Sequence, residues 1–279
     1  MASRALPVPA EFDVISGLTG IGAHLLRHRP GEDALARILT YLTRLSEPVR
    51  IDGETFPGWW TCHGPHGRPT SRFPGGHGNL GMAHGITGPL ALLALAHRRG
   101  VTVDGHREAI EGICAWLDTC RQDHDAGPWW PQWITVDERR RGRVRQPGPL
   151  RPSWCYGTPG IARAQQLAAL ATGDPSRRRL AEHALVACLS DADQLARITD
   201  AGLCHGWAGL HQTARRAAAD AATTDIAAHL PLLLDRLLGH SDTRSPAGFL
   251  EGRAGLALAL HAAADDRTAS GWDACLLIA

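Results

Sequence analysis

Gly85-Ile86-Thr87-Gly88, followed by the apolar run Pro89 to Ala96, is the stretch that decides the fold, because its pattern recurs along the chain. A Gly-x-x-Gly element opens an apolar, Ala/Leu-rich segment five times, with the first glycines at Gly17, Gly85, Gly157, Gly206 and Gly252. Recurrence of one short unit is typical of repeat architectures. We therefore expect five similar structural units.

The segments that follow these elements are predicted to be inner helices, because they are rich in good helix formers and apolar on nearly every face. They are Pro89 to Ala96, Ile161 to Ala171, Leu210 to Ala219 and Leu256 to Ala264. Pro89 suits a first helical turn, where its missing N–H costs no hydrogen bond.

The helices between them carry a single apolar stripe and are predicted to lie outside. Leu35, Ile38, Leu39, Leu42 and Leu45 follow helical spacing, as do Ile110, Ile113, Cys114 and Leu117. Two further outer helices are expected at about 178–189 and 224–238, and strand periodicity is absent. The pattern predicts an all-α, α/α toroid formed by one domain over residues 1–279. Residues 53–81 and 123–152 are predicted to be loops, and loops of this length are usually functional or disordered.

Composition excludes several classes of protein. The 279 residues contain no lysine, which rules out a Walker A phosphate loop and Schiff-base chemistry. The net charge of +1 argues against nucleic-acid binding. No stretch resembles a signal peptide or a membrane span, so a cytoplasmic protein is expected.

A metal site is predicted from the residues that precede the glycines. Cys155 and Cys204 occupy the same position, two before the first glycine, while His84, Tyr156 and His205 share the next one. If equivalent positions lie at one end of a toroid, these side chains converge there. Two thiolates and an imidazole supply three zinc ligands, and three ligands are typical of a catalytic site that keeps a position open. Cys62-His63-Gly64, with His66 and His77 nearby, is predicted to be an exposed loop, with a second metal site as the alternative.

Three motifs resemble the signature of lanthionine synthetase C-like cyclases: 79–85 with His84, Ser153-Trp154-Cys155-Tyr156-Gly157, and Leu203-Cys204-His205-Gly206. The resemblance implies zinc held by Cys155, Cys204 and His205. It also implies that peptide cysteines add to dehydroalanine or dehydrobutyrine and close thioether rings.

The resemblance assigns further roles around this site. His84 matches the family's catalytic histidine, Asp13 an aspartate that orients it, and Arg151 and Tyr156 the remaining active-site pair. A histidine that titrates near pH 7 suits protonation of the enolate formed by thiol addition.

Members of this family carry seven helical hairpins, so the first two are expected to be missing here. The implied partners are a dehydrated precursor peptide and, in the same pathway, a dehydratase and a transporter.

Two other functions are considered. One is a non-catalytic, zinc-stabilised peptide-binding scaffold. The other is an α/α-toroid glycoside hydrolase, which requires a facing pair of carboxylates; Asp13 and Glu251 are the acids next to the glycine motifs, and this reading leaves both cysteines without a role.

Overall fold

A computed structural model of the chain, which describes residues 6–241, 246–265 and 271–279, consists mainly of helices in an inner and an outer layer. The inner helices are α1 (Leu18–His28), α3 (Thr87–Arg98), α6 (Thr158–Thr172), α9 (Trp207–Ala219) and α11 (Arg253–Ala264). The outer helices are α2 (Asp33–Leu45), α4 (His106–Cys120), α7 (Pro175–Ser190) and α10 (Asp225–Gly239), and the connections contain the short α5 (Val136–Arg141) and α8 (Ala192–Leu195).

The two layers alternate along the chain. Each of the first four inner helices packs against the outer helix that follows it, and neighbouring inner helices contact one another in the order α1, α3, α6, α9, α11. This arrangement is the predicted α/α toroid. Within the described ranges, no helix has the length and hydropathy needed to cross a bilayer.

Burial follows the predicted division between layers. In α3 every residue from Thr87 to Ala96 is buried, whereas α2 buries the predicted stripe from Leu35 to Leu45. The first and last inner helices, α1 and α11, are less buried than the sequence suggests. Ile21 of α1 is 54% exposed, and α11 exposes Ala257.

The Gly-x-x-Gly elements start the inner helices, as predicted. Four first glycines are the N-cap residues of their helices, and Gly85 directly precedes the N-cap Ile86. The second glycine allows a close backbone approach, because a Cβ there would lie only 1.9–2.6 Å from the carbonyl oxygen six residues earlier. This contact recurs at Gly20, Gly88, Gly160, Gly209 and Gly255.

Backbone hydrogen bonds join each motif to the motif of the next repeat. The amide of Val14 donates to Ala83, that of Met82 to Cys155, that of Cys155 to Cys204, and that of Cys204 to Leu250, over 2.9–3.2 Å. These bonds link residues two or three before each first glycine. They bring equivalent positions of all five repeats to one end of the inner layer.

The long connections contain four short strands, although the sequence shows no strand periodicity. Strand β1 (Val49–Ile51) pairs with β2 (Glu54–Phe56), and β3 (His77–Asn79) pairs with β4 (Trp133–Thr135), both antiparallel. Segments of three residues are too short for a recognisable alternation. The β3–β4 pair joins the two connections.

A C-terminal 3-10 helix (Trp272–Leu276) packs against α1 and is tied to α6 and α9. Asp273 is fully buried and accepts hydrogen bonds from Gln212 and Arg216, while Arg163 of α6 donates to the carbonyl of Ile278. The segment therefore fills space between inner helices that are far apart in sequence. Cys275 of this segment is exposed.

Candidate metal centre and active site

Cys155, Cys204 and His205 come together at the N-terminal ends of α6 and α9. Their three ligand atoms lie within 4.8 Å of one another, and no other set of three or more metal-binding side chains was found in the described residues. The Cys155–Cys204 backbone hydrogen bond holds the two motifs side by side. Two sulfurs and one nitrogen can hold a metal ion of borderline softness and leave one of four tetrahedral positions for another ligand.

The pKa values of the two thiols in this group are shifted in opposite directions. A hydrogen bond from Cys204 lowers the pKa of Cys155 against the opposing effect of burial, and the same interaction raises the pKa of Cys204. A hydrogen bond with Cys155 also raises the pKa of His205. The hydrogen bond therefore favours the thiolate form of Cys155 over that of Cys204.

His84 and Asp13 form a hydrogen-bonded pair beside this centre. Nδ1 of His84 lies 3.0 Å from Oδ2 of Asp13. Asp13 is buried, and its other oxygen accepts a hydrogen bond from the amide of Ser16 at 2.6 Å. The imidazole is one-fifth exposed, and Nε2 has no hydrogen-bond partner among the described residues. The ring is thus fixed on one side and accessible on the other.

Tyr156 presents a neutral hydroxyl near His84. Its ring centroid is 6.5 Å from that of His84, and its hydroxyl accepts a hydrogen bond from Nδ2 of Asn79 at 2.8 Å. Burial raises the pKa of Tyr156 to about 12, so the phenol keeps its proton at neutral pH. A Cβ on Gly81 would lie 2.5 Å from the tyrosine ring, so a glycine there makes room for it.

Arg151 lies close enough for its charge to lower the pKa values of Cys204 and His205. No hydrogen bond or ion pair joins its guanidinium to another described residue. The seven residues predicted from the sequence therefore lie near one another. Among them, the guanidinium of Arg151 has no partner in the described residues.

Two residues of the site escaped the sequence analysis. Asn79 and Asp200 each stand six positions before a first glycine, the position that Arg151 also occupies in its repeat. This shared position was the sequence signal that could have identified them. Asn79 contacts Tyr156, and Oδ2 of Asp200 lies 3.7 Å from Nε2 of His205.

The loop around Cys62 behaves mainly as predicted. Cys62 is exposed and belongs to no metal-binding group of the described residues. His66 of this loop lies beside the His84–Asp13 pair, with its ring centroid 6.5 Å from that of His84. Four tryptophans of the long connections, Trp59, Trp60, Trp129 and Trp130, are buried and therefore serve packing.

Comparison with known proteins points to one family. The chain is 25% identical over 213 residues to the nisin biosynthesis protein NisC of Lactococcus lactis subsp. lactis, which is 72% of this chain and 48% of that protein. It thus spans about half the length of this curated relative. The solved structure of a nisin cyclase matches with a TM-score of 0.84 and 24% identity, covering 99% of this chain and 69% of the other.

The family model described as lanthionine synthetase C-like protein matches residues 2–277, nearly the whole chain. The fold, the five glycine motifs and the grouping of Cys155, Cys204 and His205 agree with that match. The chain belongs to the lanthionine synthetase C-like protein family.

Proposed function

We propose that this protein is a zinc-dependent lanthionine cyclase that adds cysteine thiols of a dehydrated precursor peptide to dehydroalanine or dehydrobutyrine. The observation that carries the proposal is the position of the His84–Asp13 pair at the same end of the inner layer as Cys155, Cys204 and His205. The similarity to NisC supports the same reaction class.

The donor set fits zinc. Two thiolates and one imidazole are ligands that zinc prefers, and their ligand atoms all lie within 4.8 Å of one another here. A zinc ion held by these three residues would lower the pKa of a peptide thiol at its remaining position and keep that thiol deprotonated at neutral pH.

His84 is the proposed general acid. Addition of a thiolate to the dehydro residue leaves negative charge on the neighbouring carbonyl and a carbon that needs a proton. Asp13 holds Nδ1, so Nε2 is the nitrogen that can deliver the proton.

Arg151 and Tyr156 are proposed to stabilise the developing enolate. The guanidinium is without a protein partner among the described residues and can pair with an oxyanion. The Tyr156 hydroxyl accepts its hydrogen bond from Asn79 and keeps its own proton to donate. A dehydratase and a transporter as partners, and a cytoplasmic location, are further parts of this proposal.

The other two functions have less support. In a glycoside hydrolase Asp13 would need to be free to act on a sugar, but its oxygens are held by Ser16 and His84. A peptide-binding scaffold gives no role to the His84–Asp13 pair beside the metal ligands.

The test is ring closure in a dehydrated peptide that contains one cysteine and one dehydroalanine. Cyclisation leaves the mass unchanged and removes a free thiol, so mass spectrometry after thiol alkylation measures it. We expect zinc-loaded protein to abolish alkylation of the peptide and chelator-treated protein to leave it. Equal alkylation with and without the zinc-loaded protein would contradict the proposal.

A further inference from the structure

The turn that leads into α9 is shaped by the side chain of Asp200. Its Oδ1 accepts a hydrogen bond from the amide of Gly202 at 2.8 Å, and its carbonyl accepts one from Trp207 at 3.0 Å. A Cβ on Gly206 would lie 2.3 Å from Oδ1. The glycine of the motif therefore makes room for this carboxylate, which is held in one orientation.

The second repeat contains the same turn, built on Asn79. Its Oδ1 accepts from the amide of Gly81 at 2.9 Å, and a Cβ on Gly85 would lie 2.6 Å from that oxygen. In both turns one side-chain atom is used by the backbone and the other points to a residue of the site. Nδ2 of Asn79 donates to Tyr156, and Oδ2 of Asp200 lies 3.7 Å from Nε2 of His205.

From this parallel we propose that Asp200 is a positioning residue, which holds the Nε2–H side of His205 and leaves Nδ1 as the nitrogen that binds the metal. The inference rests on the proposed zinc site at Cys155, Cys204 and His205. Metal-binding histidines generally present their second nitrogen to a carboxylate, carbonyl or water, and this contact fixes the tautomer and the ring orientation. Oδ2 of Asp200 is the carboxylate oxygen placed to do so.

The role differs from a contribution to folding. Asp200 and His205 have side chains 40% and 26% exposed, and ion pairs this accessible contribute little to stability. The structural part of Asp200 is the bond from Oδ1 to Gly202. Asp200→Asn keeps an oxygen for Gly202 and replaces the atom that faces His205, so it separates the two roles.

Asp174 offers a matched control far from the site. Its Oδ1 accepts from the amides of Ser176 and Arg177 at 3.0 Å, and its Oδ2 lies 3.8 Å from Nε of Arg177. Asp174→Asn therefore makes the same chemical change in a similar exposed turn. We expect it to leave zinc binding as it is in the unaltered protein.

Two measurements on the full chain test the inference. Competition with a chromophoric chelator gives the zinc affinity, which we expect Asp200→Asn to weaken by about 10-fold to 100-fold while the circular dichroism spectrum stays the same. The carbon chemical shifts of the histidine rings in zinc-loaded protein identify the bound nitrogen, with His205→Cys as the assignment standard. We expect Nδ1 coordination in the unaltered protein.

The outcomes separate this inference from the proposed function. Unchanged zinc affinity in Asp200→Asn, or Nε2 coordination of His205, overturns the positioning role even where the protein cyclises peptides. Weakened binding with Nδ1 coordination supports it even where no cyclisation is detected. If Asp200→Asn does not fold, the coordination measured in the unaltered protein decides the question.

Discussion

Nδ1 of His84 lies 3.0 Å from Oδ2 of Asp13, so two residues 71 positions apart meet at one end of the inner layer. The contact depends on the repeat architecture, because the amide of Val14 donates to the carbonyl of Ala83 and places the first motif against the second. Asp13 is then buried and His84 remains accessible. The pair is distinct from the neighbouring group of Cys155, Cys204 and His205, so we propose separate roles in proton transfer and metal binding.

His84→Ala is expected to retain zinc and to lose most of its cyclisation rate. A positioned general acid contributes about 100-fold to 10,000-fold, which sets the expected loss. Metal analysis together with the thiol-alkylation assay measures both properties. Loss of zinc in this variant would make His84 a ligand and would contradict the role proposed for it.

Gly209→Ala is expected to disturb the metal centre. A Cβ there would lie 1.9 Å from the carbonyl of Leu203, so the backbone next to Cys204 has to move. We expect a loss of about 1–3 kcal/mol in the free energy of unfolding, typical of overpacking, and weaker zinc binding. Urea denaturation and chelator competition give the two values.

Gly112→Ala is the control for that substitution. Gly112 lies in α4, and no atom is found within 4 Å of a Cβ built there. Alanine is the better helix former by about 1 kcal/mol, so this variant should be slightly more stable and bind zinc normally. Equal effects of the two substitutions would show that the close carbonyl contact is unimportant.

Asp273→Ala is expected to loosen the C-terminal segment. The substitution removes the carboxylate that pairs with Arg216 and accepts from Gln212 in a buried setting. The expected loss is about 3 kcal/mol, at the low end for a broken buried pair because Arg216 keeps some contact with water. Denaturant unfolding measures it, with Cys275→Ser at a neighbouring exposed position as the control.

Stability is expected to fall as the pH is lowered from about 6.5 to about 4. Burial lowers the pKa values of His77 and His211 to about 4, so the folded protein keeps both rings neutral. The unfolded chain binds these protons near pH 6.5, and protonation therefore favours unfolding below that pH by up to about 1.4 kcal/mol per pH unit for each residue.

Ring proton signals report this directly. In the folded protein at pH 5.5, those of His77 and His211 should still be those of neutral imidazole. Midpoints near 6.5 for both would contradict the explanation.

Much of the fold follows from the sequence because the repeat leaves a strong signal. The recurring Gly-x-x-Gly elements predicted the inner helices, and the equivalent positions of Cys155 and Cys204 predicted that these residues meet. The strands were missed because three-residue segments such as His77–Asn79 are fixed by pairing with distant residues. The local sequence pattern does not show which distant residues such a segment pairs with.

The supporting residues of the site were missed for a different reason. Asn79 and Asp200 act through the second atom of a side chain whose first atom closes a turn. Sequence identifies the turn residue but not the neighbour that its free atom contacts. That neighbour is set by how adjacent repeats pack.

The central claim, that Cys155, Cys204 and His205 hold one catalytic zinc ion, is tested most directly by the metal content of the purified protein and of its Cys155→Ala, Cys204→Ala double variant. A site with a single remaining ligand cannot keep the ion. We predict one zinc per chain in the unaltered protein and almost none in the folded double variant. One zinc per chain in the double variant would contradict the account.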